Sequence, residues 1–358
     1  NITYLDDETI TVTINVTNAT GNVTIKINGT DVELTKNITD EGSNTVTFTV
    51  PGLVVGDYNV TVEYTGDANY NDTNASALFT VSPLASNVTV EAVNITYLEN
   101  ETITVSVPIT NASGKVVVKI NGTVVDERTV SGDNPSYTIN VPDLAVGEYN
   151  VTVEYSDDPN YNSSNASTVF HVDKANVPDT NMTVVPTNIT YLDDETIVVT
   201  VNVTNATGKV TITINGTDVD LTAAVDSDGK ATFTVPGLVA GEYNVTAKYH
   251  DDPNYNDANA SAIFTVSPAE SSVTVVPTNI TYNDDETITV TVPVTNATGK
   301  VTITINGTDV NLTEAVDSDG KATFTVPGLS AGEYNVTAKY HDDPNYNDSE
   351  SSALFHVD

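Results

Sequence analysis

The string Asn-Ile-Thr-Tyr recurs at Asn1, Asn94, Asn188 and Asn279, at spacings of 93, 94 and 91 residues. The same landmarks follow each copy in the same order. In the third copy they read LDDETI, VTNATGKVTITINGTDV, DGKATFTVPGL, GEYNVTAKY, DDPNYN and ASAIFTV. This repeat constrains the fold more than composition does, because each unit has to bury its own core. Solenoid repeats run to about 20–50 residues, well short of this period. The period fits a complete small β domain written four times.

Within each unit apolar and polar residues alternate, the period of strands with one buried face. In TIVVTVNV the residues Ile197, Val199, Val201 and Val203 turn one way, with Thr200 and Asn202 opposite. KVTITIN puts Val210, Ile212 and Ile214 inside, and YNVTAKY buries Tyr243, Val245, Ala247 and Tyr249. Turn signals separate these runs: Asn215-Gly216, Asp228-Gly229 and Pro236-Gly237. About seven short strands per unit predict an all-β chain of four tandem immunoglobulin-like sandwiches in an elongated array. At roughly 30–40 Å per domain, the array would reach on the order of 140 Å. Tyr58, Tyr149, Tyr243 and Tyr334 each follow a Leu and Gly turn, the pattern of a tyrosine corner whose phenol reaches back to the turn backbone.

The expected domains are 1–82, 87–173, 180–267 and 272–358, joined by linkers 83–86, 174–179 and 268–271. Copies one and three end FTVSP and copies two and four FHVD, so the larger repeat could be a pair of domains. Copy one has no counterpart of Asn87–Val93, the expected first strand. Truncation of a longer chain is the favoured reading, and donation of a strand by a neighbouring molecule is the alternative. A chain opening at Asn1 is read as a mature chain or a segment of a longer one.

The stretch YTGDANYND, Tyr64 to Asp72, preceded by GDYNVTVEY, is similar to the Y-x-G-D-x-N-Y signature of bacterial and archaeal Ig-like repeats. Copies two to four depart from it, with Asp157, Asp251 or Asp342 where copy one has Gly66. With its Asn and Thr enrichment and acidic charge, the chain resembles adhesin-like surface proteins of methanogenic archaea. That resemblance spans all four copies. It implies an extracellular, cell-surface location and a stalk or fibre of repeated domains, and it names no ligand.

Charge narrows the partners. The 49 acidic residues against 12 basic give a net charge of −37, a field that repels nucleic acid and anionic membrane. No apolar run approaches the roughly 18 residues of a membrane span. Cysteine is absent, which removes disulfides, thiolate nucleophiles and Cys-based zinc sites. The expected partners are further copies of the same repeat, and a host or neighbouring-cell surface. Halophilic adaptation is a weaker account of the charge.

Sequons N-x-S/T occur 30 times. Four positions carry one in every copy: Asn1, Asn94, Asn188 and Asn279; Asn18, Asn111, Asn205 and Asn296; Asn28, Asn121, Asn215 and Asn306; Asn59, Asn150, Asn244 and Asn335. N-linked glycans are expected, with the NAT and NGT turns favoured because they are exposed and flexible. In strands, a polar-out alternation generates Asn-x-Thr by itself.

The acidic turns are candidates for a hard cation. Connections alternate between the ends of a sandwich, so each LDDE-type turn should approach the DDPN-type loop of the next copy. This would bring Asp6, Asp7 and Glu8 toward Asp157 and Asp158, and Glu99 and Glu101 toward Asp251 and Asp252. It would bring Asp193, Asp194 and Glu195 toward Asp317, Asp319, Asp342 and Asp343. A calcium ion with six to eight oxygen ligands would relieve the repulsion and stiffen the joint. Ordinary polar turns kept apart by water are the competing account.

Catalysis is not expected. The four histidines, His171, His250, His341 and His356, leave copy one without any, and His250 and His341 align with Thr65 and Ser156, as solvent-facing strand ends would. The absence of Gln rules out a Thr–Gln ester cross-link. Lys26 and Lys119 alternate with inward residues, which argues against an isopeptide bond. The sequence therefore points to a non-catalytic stalk or fibre segment, with a ligand-binding adhesin recognising glycan or protein as the alternative.

Overall fold

The computed structural model describes residues 1–38 and 44–358. These fall into two compact units, Asn1–Lys174 and Ala175–Asp358, each holding two repeats. The third repeat serves as the pattern. Its strands are β1 (Met182–Val185), β2 (Ile189–Thr190), β3 (Glu195–Val201), β4 (Lys209–Ile214), β5 (Asp220–Ala224), β6 (Lys230–Val235), β7 (Gly241–His250) and β8 (Ala258–Ser267). One sheet runs β1-β3-β6 and the other β2-β8-β7-β4-β5. All neighbours are antiparallel except β2 and β8, where Ile189 pairs with Val266 in parallel.

The alternation explains why these residues form these sheets. Ile197, Val199 and Val201 on β3 face inward with Ala231, Phe233 and Val235 on β6. They meet Val210, Ile212 and Ile214 of β4 and Val245, Ala247 and Tyr249 of β7, all buried. The Asn215-Gly216 turn between β4 and β5 uses Gly216 at φ 72°, which a side chain would resist. Among the described residues the one helical element is a 3-10 turn, Asp179–Asn181. The architecture is all-β and immunoglobulin-like, as the alternation and turn spacing require.

In the fourth repeat Thr274–Val276, Glu286–Thr291 and Lys321–Val326 form the smaller sheet, and a single bridge from Ile280 to Val357 stands where β2 pairs with β8. The second repeat keeps both sheets complete, with Ile95–Thr96 parallel to Ser164–Asp173. The first repeat has the five-stranded sheet, but its other sheet is the pair Glu8–Thr13 and Thr45–Val50.

One detail of the strand order positions everything below. β1 and β2 belong to opposite sheets, so the chain crosses between them at Pro186 and Thr187. The crossing takes the Thr187 amide out of both ladders, and a buried amide needs another acceptor. Glu195, at the start of β3 and fully buried, supplies it: Thr187 N donates to Oε1 at 2.8 Å.

Candidate functional site

The DDPNYN loop after β7 carries the densest polar network in each repeat. Asp251 takes the left-handed conformation, φ 60°, and its side chain pairs with Lys209 Nζ at 3.2 Å and His250 Nδ1 at 3.3 Å. That reversal turns the next carboxylate into the domain. Asp252 is 2% exposed, and its Oδ2 accepts from Thr207 N at 2.8 Å, Thr207 Oγ1 at 3.2 Å, Gly208 N at 3.1 Å and the Tyr249 hydroxyl at 2.5 Å. Its Oδ1 accepts from Asn254 N at 2.7 Å and Tyr255 N at 3.0 Å, which closes the loop. The arrangement needs a glycine at 208, because a Cβ there would stand 2.6 Å from the His250 carbonyl and 2.7 Å from the Tyr249 ring.

The fourth repeat repeats the network with Asp343 on Thr298, Gly299, Tyr340 and Asn345. The second does so with Asp158 on Ser113, Tyr155 and Asn160. In the first, Asp67 accepts from Thr20, Asn69 and Tyr70, while the Tyr64 hydroxyl donates to the Thr20 carbonyl. Burial works against the charge on Asp158, Asp252 and Asp343, but the donors outweigh it and hold these carboxyls below their ordinary value. The same burial, with the neighbouring carboxylate, pushes the Tyr155 hydroxyl up to about 12.

The closed loop presents an aromatic residue and an asparagine to the preceding domain. In the second unit Tyr346 packs edge-on against Tyr191, ring centroids 5.4 Å apart and planes at 87°. Beside it Asn345 Oδ1 accepts from Ala240 N, in the PGL turn of the third repeat, at 2.9 Å. The linker is held too: Ala269 N donates to Asn345 O, and Ala269 O accepts in return from Asn347 N. The first unit has the same contact, with Tyr161 on Tyr4 at 5.4 Å and 80° and Asn160 Oδ1 accepting from Val55 N at 3.1 Å. In both units the joint is an aromatic edge and a keyed asparagine.

The residues expected to gather around a cation sit differently. Asp252 and Asp343 were expected to point at the preceding domain, but φ-positive Asp251 and Asp342 rotate them inward. Glu101, Glu195 and Glu286 are fully buried and caught by the amides of Val93, Thr187 and Thr278 of their own domains. Asp6, Glu99 and Asp193 accept from Thr3, Thr96 and Thr190 within their own turns, while Asp7 and Asp194 are exposed. Asp157 and Asp342 share the left-handed position of Asp251, and Asp317 closes a tight turn onto Asp319 N and Lys321 N. Glu8 is half-buried at the start of Glu8–Thr13, with its Oε2 buried and without a partner. Among the described residues no three His, Asp or Glu side chains form a metal-holding group. Most of these carboxylates are engaged by backbone donors of their own domain, while Asp7 and Asp194 stay exposed and Glu101 Oε2 is buried without a partner.

Two further placements matter. His250 and His341, expected to face solvent, are only 21% exposed at the side chain, because Nε2 bonds Thr211 or Thr302 Oγ1 on the adjacent strand. The phenols of Tyr58, Tyr149, Tyr243 and Tyr334 donate to the carbonyls four residues back, at 2.8–2.9 Å. Sequence reasoning missed Thr207, Gly208 and the asparagine of DPNY. The signal available was the Asp-x-Asn spacing, that of an aspartate capping the amide two residues on.

The carboxylates set a pH profile. Burial pushes Glu101, Glu195 and Glu286 above their ordinary 4.5, so each costs stability while ionised. Stability from their protonation is present at low pH and lost as pH rises through the raised folded values. The buried aspartates act oppositely: their contribution is present above the ordinary 3.8 and lost as pH falls through the lowered folded values. Melting temperature should therefore rise as pH falls through the raised glutamate values toward their ordinary 4.5, and fall only below the ordinary aspartate range. A monotonic fall from pH 7 downward in calorimetry contradicts this.

Among solved structures, a Ca2+-stabilized adhesin with which an Antarctic bacterium reaches out and binds ice is 19% identical, with 99% of this chain and 94% of that one covered and a TM-score of 0.33. A structure bearing on host cell surface retention of a 1.5-MDa bacterial ice-binding adhesin is 17% identical, covering 77% and 98%, at 0.32. Extracellular domains 3–5 of Drosophila OTK are 11% identical, covering 77% and 99%, at 0.26. TM-scores this low carry no inference. No curated protein matches the chain. The bacterial Ig-like domain (group 3) profile matches residues 2–82, 182–267 and 273–357. With more than half of its length so matched, the chain belongs to the bacterial Ig-like domain (group 3) family.

Proposed function

We propose that the chain is a non-catalytic segment of an extracellular stalk, whose repeats transmit position rather than bind a ligand. One observation carries this. The same joint, tyrosine edge plus asparagine to turn amide, is built in both units from residues that each repeat also uses to close its own loop. A ligand-recognising domain needs a divergent copy, whereas a spacer needs identical docking at every step. Immunogold labelling of the native cells with an antibody to this chain tests the reading. Label displaced outward from the envelope along fibres is expected, and label confined to the cell interior would overturn it.

A further inference from the structure

On the outer face of β8 the exposed residues are Asn259, Ser261, Ile263, Thr265 and Ser267. Only Ile263 is a large apolar residue, and it is 65% exposed. Its counterparts are Leu78, Val169 and Leu354, exposed by 82%, 49% and 67%. An aliphatic side chain thus recurs at one outward position of every repeat, on an otherwise polar strand. Its identity varies among the copies while its class does not.

The residue directly opposite on β7 is in every case a sequon asparagine. Asn244 pairs with Ile263, Asn59 with Leu78, Asn150 with Val169 and Asn335 with Leu354. The neighbouring pair Tyr243 and Phe264 stacks inward at 5.4 Å, which fixes the asparagine and the isoleucine outward. Directly opposed Cβ atoms in such a ladder lie about 4.5–5.5 Å apart. Two more sequon asparagines border the same patch. Asn215 Oδ1 accepts from Asn244 N, and Asn188 Oδ1 accepts from Thr265 N at 2.9 Å. In each the carbonyl oxygen faces the backbone, leaving the amide nitrogen on the solvent side.

We infer that Asn59, Asn150, Asn244 and Asn335 carry N-linked oligosaccharides whose first sugar lies over the facing Leu78, Val169, Ile263 and Leu354. The donor is a polyprenyl-phosphate-activated oligosaccharide. Asn Nδ2 attacks the anomeric carbon of its reducing-end sugar and the C–N bond forms. The bond from that carbon to the phosphate oxygen breaks, the lipid phosphate leaves with the electron pair, and the amide gives up one proton. No electrons are exchanged with a redox partner. Thr61, Thr152, Thr246 and Thr337 supply the hydroxyl two residues on that the acceptor motif requires. The strand backbone at Asn244 is paired on both sides, so transfer precedes folding. A pyranose ring offers a C–H face to the aliphatic group and hydroxyls to water, and this removes apolar surface from solvent.

The inference rests on the extracellular reading, since the chain has to meet the glycosylating machinery. Glycopeptide mass spectrometry on the full chain from its own cells tests it. Hexose or hexosamine additions are expected at Asn59, Asn150, Asn244 and Asn335. A chain with all four changed to Gln, checked for an unaltered melting profile, should bind an apolar dye at least about twofold more than the native chain. Adding Leu78→Thr, Val169→Thr, Ile263→Thr and Leu354→Thr should reverse the rise. Unmodified asparagines on a surface-located chain overturn the inference and leave the stalk reading standing. Equal dye binding with and without the sugars overturns the shielding, as does native self-association abolished by the Thr changes, which would make the cover a second copy.

Discussion

Asp252→Ala is expected to lower the melting of the third repeat by on the order of 15–25 °C while the other three repeats hold. The side chain is 2% exposed and accepts from four backbone amides and two hydroxyls. Alanine leaves Thr207, Gly208, Asn254 and Tyr255 amides without their acceptor, at about 1–3 kcal/mol for each that water does not reach. A total of roughly 3–5 kcal/mol follows once partial hydration of the loop is allowed for. In a domain of this size 1 kcal/mol moves the midpoint by about 4–8 °C. Asp252→Asn should lose less, because it keeps one carbonyl acceptor for the Asn254 and Tyr255 amides. Asp251→Asn is the control: asparagine tolerates φ 60° as aspartate does, and the exposed pair with Lys209 that it removes is worth about 0–1 kcal/mol. Differential scanning calorimetry of the full chain reads the result. An Asp252→Ala profile no different from that of Asp251→Asn would show that the carboxylate does not hold the loop.

The sequence and the structure agree where periodicity decides and part where a single dihedral does. Alternation places Ile197, Val199 and Val201 inward, and the Asn215-Gly216 turn fixes the hairpin that follows. The same alternation, extended one step back, puts Glu195 on the inward side of β3. Reading it as part of an acidic turn obscured that. Its partner amide, Thr187, is not recognisable from sequence, because it is orphaned only by the crossing of β1 and β2 between sheets. Asp251 and Asp252 look equivalent as letters. They differ because Asp251 takes φ 60°, which separates one exposed carboxylate from one buried carboxylate. His250 looked solvent-facing because Thr65 and Ser156 align with it, but an imidazole is long enough to lie along the sheet and reach Thr211. The alternation of connections brings the turn after Tyr191 to the loop that carries Tyr346, but it does not say that the two tyrosines, rather than the carboxylates beside them, make the contact.

The second large effect is expected at that meeting. Tyr346→Ala should destabilise the fourth repeat by about 3–5 kcal/mol, the usual cost of truncating a buried aromatic. Tyr346 is 4% exposed, and its hydroxyl donates to the Thr295 carbonyl at 2.7 Å, so it seals its own domain as well as the joint. Tyr191, only partly buried where it packs against the fourth-repeat core, should cost less when changed to Ala. A double-mutant cycle separates the roles: the coupling between the two tyrosines should be about 0.5–1.5 kcal/mol, the range for aromatic pairs beyond burial. Tyr346→Phe should keep that coupling while losing about 0.5–1.5 kcal/mol from the hydroxyl. Asn345→Ala removes the acceptor of Ala240 N and should weaken the joint by a further amount near 1 kcal/mol. The counterpart cycle on Tyr4 and Tyr161 should return a coupling of the same size, since the centroid distance is the same 5.4 Å. A coupling of zero in both units would mean that the repeats touch without holding each other. Each unit would then owe any stiffness to its linker, where Ala269 and Leu84 are bonded to the loops that carry Tyr346 and Tyr161.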